Sequence, residues 1–209
     1  MLSARYMKAA PIFMVLLALV SGIEAQRRTA SSEVTTFYFV RHGEGDRSDA
    51  RMPLASRGLE RAHRLARVME RVPLTHVFSS HTLRSIEAVE PTAKFHGLEV
   101  IELPALGSEV DGEVIHEVSP SDLAIGPLTA ALREVTPSST VLVGVNADNV
   151  FAIMNGLGVP LGTDDLPCEL GQTCVPCLEN TCVPREFDNL WVLTLSGADR
   201  STSLQWLRY

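Results

Sequence analysis

Apolar residues in this chain fall into short unbroken blocks that alternate with longer amphipathic stretches. Residues 35–40 (TTFYFV) are β-branched or aromatic and predict a buried strand. Over residues 58–71, Leu59, Ala62, Leu65, Ala66 and Met69 recur at three- and four-residue steps, one face of a helix, with Ser56 placed to cap it. A short strand follows at 75–79. A second helix spans 82–95, where Pro91 is expected to kink it and Gly97 to end it. Residues 98–103 read as a third strand, 128–135 as the helical part of 121–135, and 140–145 (TVLVGV) as a near-continuous apolar strand. A helix over 150–157 stops at Gly158, residues 190–195 (LWVLTL) form another apolar strand, and 203–207 an edge strand. No fixed-period repeat is present.

Strands alternating with helices predict an α/β fold, a three-layer α/β/α sandwich around a mainly parallel sheet. The apolar runs at 140–145 and 190–195 agree, since parallel strands are buried on both faces.

Two segments stand outside this pattern. Residues 1–25 begin with Arg5 and Lys8, continue with twelve uncharged residues at 9–20, and end Ile23-Glu24-Ala25. This is the layout of a secretory signal cleaved after Ala25. The apolar run is short of the roughly 20 residues a span requires, so no stable membrane span is expected after cleavage. Residues 26–209 then form one domain, exported to a periplasmic or extracellular compartment. The second segment, a Pro-containing insert at about 163–187, holds Cys168, Cys174, Cys177 and Cys182. In an oxidising compartment such a set reads as disulfides, with three pairings open. A four-thiolate zinc site and a redox role for Cys174 and Cys177 are the alternatives. Each short disulfide loop would add about 2–3 kcal/mol and pin the insert.

The balance of charge narrows the partners. Eighteen Lys+Arg against 25 Asp+Glu give −7, and loss of residues 1–25 makes the chain more negative still. A nucleic-acid partner is therefore not expected. With 45% hydrophobic and 21% charged residues, the chain has enough apolar content to bury a core.

In parallel α/β sheets ligands bind outside the carboxyl ends of the strands. Those ends carry Arg41-His42-Gly43-Glu44, Ser79-Ser80-His81-Thr82-Leu83-Arg84, and Asn146-Ala147-Asp148-Asn149. Two guanidiniums suit bidentate capture of phosphate, and a neutral imidazole beside them is a nucleophile near neutral pH. Gly43 lets the backbone approach a ligand closely. The chemistry indicated is attack of a His nitrogen on phosphorus, followed by hydrolysis of the phosphohistidine.

These segments resemble the histidine phosphatase superfamily, the phosphoglycerate mutase-like proteins. Phe39 to Glu44 is similar to the family's opening R-H-G tract. Residues 53–62 resemble its L-T-x-x-G-x-x-Q-A segment, 77–85 its V-Y-S-S-P-L-x-R-T segment, and 141–150 its V-L-V-V-G-H-S-N-T-V strand and turn. The resemblance runs from about residue 36 to 160 and resumes at 190–195. It implies a phosphoglycerate mutase-like fold and a metal-independent phosphomonoesterase without cofactor. His42 would be phosphorylated, with Arg41 and Arg84 on the phosphate. The substrate would be a phosphorylated small molecule or a phosphoprotein. The family's acidic proton donor would be Glu109, with Asp111 and Glu113 close by. The family's second His falls on Asn146, which carries no charge and relays no proton. Loss of one donor to a developing oxyanion costs about 10²–10³ in rate. A catalytically silent phospho-ligand binder is therefore the alternative, as is rescue by His81 or His116. A third reading makes the Cys-rich insert the working part of an interaction protein.

Of the remaining residues, Glu44 is expected to position the loop. Arg57, Arg61, Arg64, Arg67 and Arg71 are expected to form a solvated face, with His63 exposed and His76 and His96 structural or at the surface. Asp164, Asp165 and Glu169 lack the spacing of a calcium-binding loop. Amino-terminal sequencing of the exported protein should begin at Gln26; a chain that begins upstream would mean a retained anchor.

Overall fold

A computed structural model describes residues 33–104, 109–110, 113–114, 126–147, 149–159, 186–197 and 200–209, the two pairs at 109–114 by their backbone only. The chain opens with β1 (Val34–Arg41), then α1 (Ser56–Met69), β2 (His76–Ser80), α2 (Leu83–His96) and β3 (Val100–Leu103). A short pair, β4 (Glu109–Val110) and β5 (Glu113–Val114), precedes α3 (Pro127–Arg133) and β6 (Thr140–Val145). Helix α4 (Val150–Gly156) and strands β7 (Asn189–Ser196) and β8 (Ser201–Arg208) complete the described chain.

The main sheet has the order β3-β2-β6-β1-β7-β8. The pairs β1–β6, β2–β6 and β2–β3 are parallel, whereas β1–β7 and β7–β8 are antiparallel. The mixed sheet is thus parallel over four strands and antiparallel at one edge. This corrects the direction inferred for 190–195. Its apolar run reports burial on both faces, and β7 has that burial while running against β1.

Side-chain alternation along the strands divides the core into two layers. Val40, Val77 and Leu142 pack with Leu65 and Met69 of α1 and Val89 and Ala93 of α2. Phe37, Phe39, Phe78, Val141 and Val143 pack on the other face with Leu128 and Leu132 of α3 and Val150, Phe151 and Met154 of α4. The Phe151 ring meets Trp191 edge-on, with centroids 5.5 Å apart, an arrangement that aromatic quadrupoles favour. The sandwich expected from the sequence is present, with α1 and α2 on one face and α3 and α4 on the other.

Local signals explain most boundaries. Gly97 ends α2 in the left-handed region at φ 65°, where its N–H closes the last turn. Pro91 lies inside α2, which nevertheless continues from Leu83 to His96. Helix α1 begins at Ser56 with Ala55 at its cap, so Ser56 does not cap it. Its buried face is Gly58, Ala62, Leu65 and Met69, while Leu59 is exposed. Among the described residues no helix is long and apolar enough to cross a membrane. The amino-terminal segment and the four cysteines lie outside the described residues.

Gly144 of β6 marks the closest approach of sheet and helix. A Cβ there would meet the Ser85 carbonyl oxygen and Val89 Cγ1 at 2.8 Å each. Gly144→Ala should therefore destabilise the fold by about 1–3 kcal/mol through overpacking. Urea denaturation would show this as a lower midpoint at unchanged slope.

Candidate active site

The strand order opens a crevice at the carboxyl ends of the parallel strands. Strands β1 and β2 lead into α1 and α2 on one face, whereas β6, between them, leads into α4 on the other. Neighbouring strands whose connections leave in opposite directions open a cleft at their carboxyl ends. Arg41 and His42, Arg84 and Asn146 all stand there, brought together from three separate segments.

His42 continues the β1–β6 ladder by one bond, its N–H donating to the Val145 carbonyl at 3.1 Å. Its ring is nearly buried, with 9% of the residue exposed. Nδ1 lies 2.7 Å from the Gly43 carbonyl oxygen, and Nε2 lies 3.0 Å from Nε of Arg84. A carbonyl only accepts and a guanidinium only donates. The two contacts together therefore select the tautomer with hydrogen on Nδ1 and a lone pair on Nε2. Burial, together with the nearby Arg84 and Arg41 charges, lowers the His42 pKa to about 4, against the upward pull of the Gly43 bond. The ring is neutral at pH 7.

Arg84 is supplied by the first turn of α2, at the positive end of that helix's dipole. Arg41, the last residue of β1, holds its guanidinium 4.1 Å from the centre of the Phe187 ring. Phe187 was not anticipated: a lone aromatic between a polar insert and a strand carries no pattern of its own. Only the antiparallel run of β7 beside β1 brings it to the site.

Asn146 is 6% exposed. Its Oδ1 accepts from the hydroxyls of Thr82 at 2.9 Å and Ser85 at 3.0 Å. These two residues flank Arg84, so the amide at the end of β6 is tied to the start of α2. His81 adjoins this turn and is half-buried, and its Nδ1 is enclosed without a hydrogen-bond partner among the described residues.

A second layer holds the loop that carries His42. The Glu44 carboxylate receives Arg61 Nε at 2.9 Å and Arg61 Nη2 at 3.0 Å, with Arg57 Nε at 3.2 Å. Burial pushes the Glu44 pKa up, but these guanidiniums outweigh it and the net shift is downward. Glu44 thus positions the loop, as expected. Arg61 departs from the expected solvated face: its side chain is 14% exposed, whereas Arg57, Arg64, Arg67 and Arg71 face solvent. Gly43 packs on Gly58 of α1 so closely that a Cβ would come within 2.7 Å of the Gly58 Cα. That contact, as much as approach to a ligand, requires glycine at both positions.

His63 is exposed, and His96 Nε2 lies 3.2 Å from the Met69 carbonyl in a structural bond, both as expected. Glu109 and Glu113 lie on the short β4–β5 pair, whose backbone alone is described. Asp111, His116 and the acidic residues near the cysteines lie outside the described residues. Among the described residues, no group of three His, Cys, Asp or Glu side chains is placed to hold a metal.

With this geometry in place, comparison with known proteins is informative. A family model, histidine phosphatase superfamily (branch 1), matches residues 37–123. No curated protein gives a significant match. A phosphoglycerate mutase from Bacillus anthracis str. Sterne superposes with a TM-score of 0.55 at 14% identity, covering 86% of this chain and 95% of its own. The SixA protein of Agrobacterium tumefaciens gives 0.51 at 17% identity, covering 83% and 97%. A mycobacterial hydrolase gives 0.51 at 15% identity, covering 84% and 97%. At such identities these likenesses establish the fold.

The lowered His42 pKa has a consequence for stability. Between pH 6.5 and 4 the unfolded chain binds a proton at this position that the folded chain does not. Stability from this group is therefore full above pH 6.5, falls with pH, and levels off below 4, a loss of about 3 kcal/mol. His42→Asn should flatten the stability profile over that window, and NMR titration of the parent should place the His42 midpoint near 4. A midpoint near 6.5 would mean a ring open to water. The resemblance seen in the motifs is thus supported twice over, by the histidine phosphatase superfamily (branch 1) model across residues 37–123 and by a phosphoglycerate mutase-like fold across most of the chain.

Proposed function

We propose that this protein is a phosphomonoesterase that works through a phosphohistidine at His42. The observation that carries this reading is the state of the His42 ring. Its Nδ1 hydrogen is committed to the Gly43 carbonyl, and its Nε2 lone pair is neutral, buried and faced by a guanidinium. A phosphate ester entering the crevice would draw Arg84 from Nε2 onto its oxygens, with Arg41 beside it. Nε2 then attacks phosphorus as the bond to the ester oxygen breaks. The departing oxygen takes a proton from an acid, for which Glu109 is the candidate. Water next attacks the phosphohistidine, releases inorganic phosphate and restores His42, its proton returning to that acid. The Nδ1–Gly43 bond stabilises the ring while it carries positive charge.

Asn146 supports a second reading, a phospho-ligand binder with its chemistry largely silent. The site holds two cations where the family pattern expects a third group able to carry charge. Asn146 already uses its oxygen to accept from Thr82 and Ser85, which leaves only an uncharged N–H₂ to donate. Export after cleavage at Ala25 and disulfide bonding of Cys168, Cys174, Cys177 and Cys182 belong to the same proposal and rest on sequence pattern.

The test is hydrolysis of an aryl phosphate by the purified protein. Turnover should be lost in His42→Ala, and brief reaction followed by alkaline quench should trap phosphate on the parent alone. Asn146→His should raise kcat by tenfold or more, toward the roughly 10²–10³ that one oxyanion donor contributes. A silent parent with an active Asn146→His variant would decide for the binder. A silent pair that also fails to bind phosphate would overturn both readings.

A further inference from the structure

Phe187 occupies an unusual place for a phenylalanine. It is half-buried, yet it belongs to none of the hydrophobic clusters of the fold. Its neighbours are the site's polar groups: Arg41 at 4.1 Å and Arg61 at 6.0 Å from the ring centre, and the His42 ring at 6.4 Å, tilted by 47°. Strand register explains the position. Val40 pairs with Leu190 across the antiparallel β1–β7 ladder, so residues entering β7 run past the carboxyl end of β1. Phe187 therefore stands beside the Arg41-His42-Gly43 turn.

The ring is also held there. The Tyr209 hydroxyl donates to the Phe187 carbonyl at 3.4 Å, and the Tyr209 N–H donates to the Asp188 carbonyl at 3.0 Å. Arg208 pairs with Asp188 at 2.8 Å, and Asn189 Nδ2 donates to the Glu186 carbonyl at 3.1 Å. A backbone tied on both sides of one residue fixes that residue's direction, and a pre-positioned aromatic binds without first losing freedom. Arg41 covers one part of the ring by a cation–π contact, leaving a half-exposed apolar surface next to the nucleophile.

We infer that Phe187 is a specificity-determining residue, forming the apolar wall against which the leaving group of a phosphate ester lies. The pocket should then favour aryl phosphates over small alkyl or polyhydroxylated ones. This rests on the phosphate-pocket reading above. A flat leaving group stacks or packs edge-on against the ring, whereas a hydroxylated one would lose water without a replacement partner.

The experiment measures binding, so it does not depend on turnover. Calorimetric titration of the purified full chain with phenylphosphonate, methylphosphonate and inorganic phosphate gives three affinities. The parent should bind phenylphosphonate about tenfold more tightly than methylphosphonate. Phe187→Ala should bring the two within about twofold, with the inorganic phosphate affinity also changed by no more than about twofold. Phe187→Leu keeps apolar bulk and should retain part of the preference. A preference that is absent in the parent, or unchanged in Phe187→Ala, would overturn the proposal. So would loss of all three affinities in both variants, which would make Phe187 a support for Arg41 instead. A parent that binds none of the anions would overturn the phosphate pocket itself, an outcome distinct from the others.

Discussion

The parallel insertion of β6 between β1 and β2 is the constraint from which the site follows. Hydrogen bonds on both edges hold the three carboxyl ends level, with Arg41 opposite Val145 and Ser79 opposite Gly144. Because β6 leaves toward α4 while its neighbours leave toward α1 and α2, the chain parts at that level. Gly144 allows α2 to lie directly on the sheet, which brings Arg84 at its start within 3.0 Å of His42. The hydroxyls of Thr82 and Ser85 then join the same turn to Asn146. Packing and chemistry share these atoms, so a change that loosens the helix–sheet contact also moves the site.

Two guanidiniums dominate the described part of the crevice. Arg41 and Arg84 flank the buried His42 ring, and the Glu44 carboxylate pairs with Arg61 and Arg57. Two guanidiniums at one crevice are favourable to a dianion that enters it. The lowered pKa of His42 belongs to the same balance: burial and the two guanidiniums keep the ring neutral and its lone pair available. Asn146 adds no charge to this arrangement, since its side chain is a neutral amide.

The stiffness of the site comes from its surroundings. Gly43 and Gly58 in contact lock the loop after His42 onto α1. The two-point grip of Arg61 on Glu44 holds that loop from its next residue. On the opposite side, Tyr209 and Arg208 hold the segment that carries Phe187. Arg41 and His42 thus sit between two braced walls, one built early in the chain and one at its end.

Much of this was legible in the residues themselves. Strand and helix positions followed from local periodicity, because burial of one face dictates the spacing of apolar side chains. His42, Arg41, Arg84 and Asn146 were found because each follows a strand at which an α/β fold opens. The direction of β7 was not legible, because an apolar run records burial on two faces and is silent about polarity. Arg61 read as one more exposed arginine in a basic helix, since nothing local distinguishes it from Arg57 or Arg64; its partner Glu44 lies 17 residues away. Phe187 gave no signal, because its neighbours Arg41, His42 and Arg61 lie far back in the chain and meet it only in the folded structure. The sequence by itself determined which elements form and which residues stand at the strand ends, as these depend on local pattern. The tertiary structure decided the tautomer of His42, the grip on Glu44 and the place of Phe187 beside Arg41, as these depend on contacts between segments far apart in the chain.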